Sequence, residues 1–113
     1  MEVISDKISL NKLKKIARSS FGSLVKAVVD VKKEIMAIDG EMHADEEALL
    51  LSQGSKQDNL WGINLYPELT TSDWIEFDSM INLRPASGNK SRGVENKEIR
   101  EKIIKIVNQL VKK

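Results

Sequence analysis

The chain has 113 residues, enough for one domain with a real core and too few for two. Its 41% hydrophobic and 31% charged content is that of a folded globular protein, and 18 basic against 17 acidic side chains leave a formal net charge of +1. Balanced charge argues against nucleic-acid binding through phosphate neutralisation, and the lack of cysteine excludes disulfides, thiolate metal sites and a cysteine nucleophile.

No apolar run approaches the roughly 18 to 20 residues of a membrane span. The start, Met1-Glu2-Val3-Ile4-Ser5-Asp6-Lys7, lacks the basic-then-apolar layout of a signal peptide. A single cytoplasmic domain over residues 1–113, without membrane contact, is therefore expected.

Taken in chain order, Val3-Ile4 reads as a short edge strand. Ser9 is a helix N-cap ahead of Leu10, Leu13, Ile16 and Ala17 at helical spacing, with Phe21 closing the apolar face and Gly22 ending the helix. Leu24 to Val31 alternates and is rich in β-branched residues. A charged turn, Lys32-Lys33-Glu34, separates it from the apolar run Ile35 to Ile38, and the pair predicts a hairpin. Asp45 is placed to cap a short helix whose first turn carries Glu46 and Glu47, with Ala48 to Leu51 as its apolar face and Gly54 as its stop.

Leu60 to Tyr66 forms a further strand ended by Pro67. Asp73 to Pro85 then reads as one long strand. Ile75, Phe77, Ile81 and Leu83 share one parity, while Glu76, Asp78, Asn82 and Arg84 share the other. Ala86 to Glu95 is irregular, and Asn96 caps a last helix with Ile99, Ile103, Ile106, Val107, Leu110 and Val111 in one stripe. The predicted order is helix, strand, strand, helix, strand, strand, helix. Hairpin-length links favour antiparallel pairing, so an α+β domain is expected, with about four strands and the helices on one face.

Three places carry enough polar chemistry to be candidate sites. Glu41, His43 and Asp45 alternate, and an extended segment would point all three one way, as a metal site or a proton-transfer site requires. The bland alternative is a capped helix start with His43 bonded to a carbonyl. In the second place, Arg84 through Gly93 brings three cations and two glycines to the start of the last helix, a plausible anion site, although no Gly-Lys-Ser/Thr opens that helix. The third is the polar sheet face, where Asn64 would join Glu76, Asp78, Asn82 and Arg84, with Asp30 as a further carboxylate. A solvated sheet face reads identically.

Several stretches together resemble a family of small prokaryotic proteins catalogued as a domain of unknown function. They are Val25 to Asp30, Glu41 to Ala48, Trp61 to Pro67, Ile75 to Ser79, and Arg84-Pro85 through Gly88 to Gly93. The resemblance implies no activity, cofactor or catalytic residue. From the residues themselves, the leading expectation is a binding module for a small anionic ligand or a protein partner. Arg84, Asn89 and Arg92 would hold the anion, and Asn64 and Asp78 would orient it. The alternatives are a hydrolase-like enzyme using His43 with Glu41 and Asp45, with or without a divalent cation, and a homo-oligomer joined through its sheet. No cofactor is expected.

Overall fold

The amphipathic runs at Leu10–Ser19 and Lys97–Leu110 become helices, and the short apolar runs Val25–Asp30 and Ile35–Ile38 become strands. The computed structural model describes all of residues 1–113. In chain order the elements are β1 (Glu2–Ile4), β2 (Ile8–Ser9), α1 (Leu10–Ser19), β3 (Val25–Asp30), β4 (Ile35–Ile38) and α2 (His43–Ser52). They continue with β5 (Leu60–Leu65), β6 (Ile75–Glu76), α3 (Lys97–Leu110) and β7 (Val111–Lys112). Five strands form an antiparallel sheet in the order β1-β4-β3-β5-β6, and β2 pairs in parallel with β7 in a small second sheet. The fold is α+β, a single compact domain.

Both central strands are buried on two sides. Val25, Ala27 and Val29 of β3, with Trp61, Ile63 and Leu65 of β5, point into the main core. There they meet Leu13 and Ala17 of α1 and Ile103, Ile106, Val107 and Leu110 of α3. The opposite parity, Val28, Ala37 and Leu60, packs under Leu50 of α2. Only α1 and α3 therefore share a face, and α2 covers the other, contrary to the expectation of helices on one side. Strands that are apolar on both parities demand cover on both faces, and α2 supplies the second layer.

Local signals act as expected at three places. Ser9 Oγ accepts from Lys12 N–H at 3.1 Å, and Asn96 Oδ1 accepts from Ile99 N–H at 3.1 Å, so α1 and α3 carry side-chain N-caps. The β3–β4 hairpin turns where charge interrupts the apolar run. Asp30, anticipated as a surface carboxylate, is buried there instead. It accepts from Lys32 N–H and Lys33 N–H at 2.9 Å each, and from the Ser55 hydroxyl at 2.6 Å.

The long strand over Asp73 to Pro85 does not exist. Regular pairing stops at Glu76, and single turns of 3₁₀ helix occupy Ser72–Trp74, Met80–Asn82 and Pro85–Ser87. Ile75 and Phe77 pack into the core beneath α1 and α3, whereas Ile81 packs beneath α2. Residues of one parity thus serve opposite faces because the chain crosses the end of the sheet between them. Phe21 is also misplaced by the sequence pattern: it is exposed and carries the Lys26 ammonium over its ring, 4.9 Å from the centroid.

α2 begins at His43 with Met42 as an uncapped N-cap residue, so Asp45 lies inside the first turn and is not the cap. Glu46 turns inward and is wholly buried. One carboxyl oxygen accepts from Gly40 N–H at 2.9 Å and the other has no partner. Burial pushes its pKa up to about 9, from an ordinary value of 4.5, against the opposing pull of Gly40 N–H and Lys26. The raised folded-state value means that the fold loses stability as pH climbs from about 4.5 to about 9. At pH 7 the loss is on the order of 3 kcal/mol. Glu46→Gln should melt higher than the parent at pH 8, with the gap closing at pH 5; equal gaps in thermal melts at the two pH values would count against a neutral buried carboxyl.

Candidate functional site

Strand register brings together residues that lie far apart in sequence. Lys26 pairs with Asn64 across β3 and β5, and Asn64 pairs with Glu76 across β5 and β6. All three side chains stand on the α2 face, in one row across three strands. Asn64 is only 8% exposed. Its Nδ2 donates to Glu76 Oε1 at 2.8 Å and to the Asp78 carbonyl at 3.3 Å, while its Oδ1 is buried without a partner. The Tyr66 hydroxyl donates to the same Glu76 oxygen at 3.2 Å. The second Glu76 oxygen accepts no bond from the protein.

His43 stands beside this row. As the first residue of α2 it is carried over β5, where its ring reaches the Ile63 carbonyl with Nε2 at 2.8 Å. A carbonyl only accepts, so Nε2 carries the proton and Nδ1 is left as a free acceptor in the neutral ring. Burial lowers the His43 pKa below 6.5, opposed by the Ile63 bond. Lys26 and Arg92 lower it further, and Asp78 raises it.

Gly62 makes the approach possible. A Cβ there would lie 2.5 Å from Ser79 Cβ and Oγ and 3.2 Å from His43 Cδ2. Only a bare backbone lets both side chains close onto β5. Ser79 is buried at this notch, so its hydroxyl is no exposed nucleophile. The Asp78 side chain next to it accepts from Arg92 Nε at 2.7 Å, and this pair is about half exposed.

An amide in place of a strand holds the segment. Tyr66 N–H bonds the Trp74 carbonyl and Asn64 pairs with Glu76, so residue 78 would be next opposite Gly62. Asn82 fills that position with its side chain. Its Oδ1 accepts from Gly62 N–H at 2.8 Å, and its Nδ2 donates to the Gly62 carbonyl and to the Arg92 carbonyl at 2.9 Å each. Ser79 N–H also bonds the Arg92 carbonyl, at 2.9 Å, so the loop bearing Arg92 is fastened to β5 through these contacts.

The five residues expected to bind a ligand divide into two groups. Asn64, Asp78 and Arg92 lie together, linked through Asp78. Arg84 and Asn89 lie elsewhere. Arg84 sits 4.5 Å from the Trp61 ring centroid and donates to the carbonyls of Ile81 and Leu60, in a cleft that also presents Asp58 and Glu95. Asn89 is buried, its Nδ2 held by the carbonyls of Asn82, Ser91 and Gly93 and its Oδ1 by Glu95 N–H. It shapes the loop from within.

Glu41, His43 and Asp45 do not converge either. Glu41 and Asp45 line a cleft with Met1 and Leu49, whereas His43 turns to Ile63. No group of three His, Asp or Glu residues stands close enough to hold a metal ion. Lys26 and Tyr66 were missed as site residues. Both share the parity of their neighbours in the row, but that becomes a signal only once the register of β3, β5 and β6 is known.

Two measurements check this geometry. In an NMR titration the His43 ring should change protonation below pH 6.5, with Nε2 protonated in the neutral form; a midpoint above 6.5 would contradict its burial. Asn82→Ala should cost about 1–3 kcal/mol for each Gly62 group left unpaired, read as a lower denaturation midpoint. An unchanged midpoint would show that the amide is replaceable by water.

No helix is long and apolar enough to cross a membrane. No curated protein and no solved structure matches the chain. A family model matches residues 2–110, nearly the whole chain, and on that ground the chain belongs to the family described as protein of unknown function DUF5674.

Proposed function

We propose that this protein is a binding module for a small anionic ligand, seated on the α2 face of the sheet among Lys26, His43, Asn64, Asp78 and Arg92. The observation that carries the reading is a chain of contacts on one face: Lys26 stands in register with Asn64, Asn64 bonds the Asp78 carbonyl, Asp78 pairs with Arg92, and His43 sits beside them on the Ile63 carbonyl with Nδ1 unpaired. Lys26 is occupied only by the Phe21 ring, and Arg92 only by a half-exposed carboxylate. Exposed pairs of that kind are worth about 0–1 kcal/mol, so a ligand displaces them readily. The Arg92 guanidinium keeps further N–H donors for a carboxylate or phosphate. Arg84 and Asn89 leave the proposed site: Arg84 lies over the Trp61 ring and bonds the Ile81 and Leu60 carbonyls in a separate cleft, and both polar atoms of the Asn89 carboxamide are bonded within its own loop.

The test is titration of the protein with inorganic phosphate and with acetate, followed by NMR at the His43 ring and the Arg92 side chain. Saturable shifts at both are expected. Lys26→Ala and Arg92→Ala should each weaken binding about tenfold or more, equivalent to roughly 1.4 kcal/mol, with the protein still folded. Binding that is indifferent to both substitutions would refute the reading, as would the absence of any shift at His43.

A further inference from the structure

We infer that the ligand is a zwitterion, a small amino acid, with its carboxylate toward Lys26 and Arg92 and its ammonium toward Glu76; this rests on the proposed site above. Charge balance favours it. With His43 neutral, the two cations Lys26 and Arg92 are matched by two carboxylates, Glu76 and Asp78. A simple anion gains from the first pair and is repelled by the second. A molecule carrying both signs uses the whole site.

The free hydrogen-bonding groups point the same way, since three of them are acceptors. His43 Nδ1 has no partner, the second Glu76 oxygen accepts nothing, and Asn64 Oδ1 is orphaned in a side chain more than nine-tenths buried. An anion alone brings no donor to any of these, and an orphaned buried acceptor is costly. An ammonium group brings three N–H donors.

Spacing sets the size of the ligand. Lys26 and Glu76 flank Asn64 on adjacent strands, which places their backbones about 10 Å apart at roughly 4.8 Å per strand. With about 3 Å to a hydrogen-bonding partner at each end, a ligand charge separation of roughly 4 Å, a few bonds, spans that row. Amino acids with the ammonium one to three carbons from the carboxylate fall in this range.

The experiment is a parallel NMR titration of the full chain with glycine, β-alanine, 4-aminobutanoate, acetate and methylammonium at constant ionic strength. At least one of the three amino acids should bind about tenfold tighter than acetate and shift the Asn64 side-chain amide. Glu76→Gln, which keeps an acceptor for Asn64 and Tyr66, should bring that amino acid down to the affinity of acetate. If acetate binds the parent protein as tightly as all three amino acids, the zwitterion inference falls and the anion site stands. If methylammonium matches the best amino acid, or if nothing in the series or inorganic phosphate binds, both readings fall.

Discussion

The pairing of the Asn82 carboxamide with Gly62 is the contact on which the rest of this surface depends. A peptide unit and a primary amide present the same donor and acceptor, so a side chain can stand in for a strand residue. The substitution frees the main chain. Beyond Glu76 the backbone leaves the sheet, crosses its end and returns with Arg92, whose carbonyl is fastened by the same amide and by Ser79 N–H. A continued β6 would have put a regular strand where Asp78, Ser79 and His43 now meet.

Glycine at position 62 and asparagine at 82 are therefore one device. The first removes the side chain that would keep Ser79 and His43 away from β5; the second satisfies the backbone that the missing side chain exposes. His43 is delivered by α2, the only helix on this face, so the second layer both covers apolar residues and supplies an imidazole. Glu46, one turn further along α2, ties its carboxyl to Gly40 in the link that leads into the helix. The helix is thus anchored by a buried acid at a point close to its polar front.

Much of the architecture is legible from local chemistry. Ser9 and Asn96 announce helix starts because an N-cap is a local bond, and the β3–β4 hairpin is announced by a charge cluster between β-branched runs. Asp73 to Pro85 is misleading for a definite reason. Alternation records which residues are apolar but not which face each apolar residue serves, and Phe77 and Ile81 serve different ones. The site is half legible: Asn64, Asp78, Arg92 and His43 are visible as isolated polar residues, yet their meeting follows from register and from a side-chain amide, neither of which leaves a periodic trace. Asn89 and Arg84 show the converse. Polar residues in a glycine-bearing loop look like ligand donors, and here they bond the carbonyls that such a loop leaves unpaired.

The small parallel pair of β2 with β7 has its own consequence, for the order in which the chain assembles. It joins Ile8 to Val111, a closure of about a hundred residues, which a flexible chain would meet at a steep entropic penalty for so few bonds. Yet α1 starts directly from β2 and α3 runs directly into β7, and both helices lie on the same face of the sheet. Once the helices dock, the two short strands are already neighbours and little chain freedom remains to be lost. The clip is therefore a late event in folding, formed when the main core is in place, and amide hydrogens in it report on completion of the native state rather than on its nucleation.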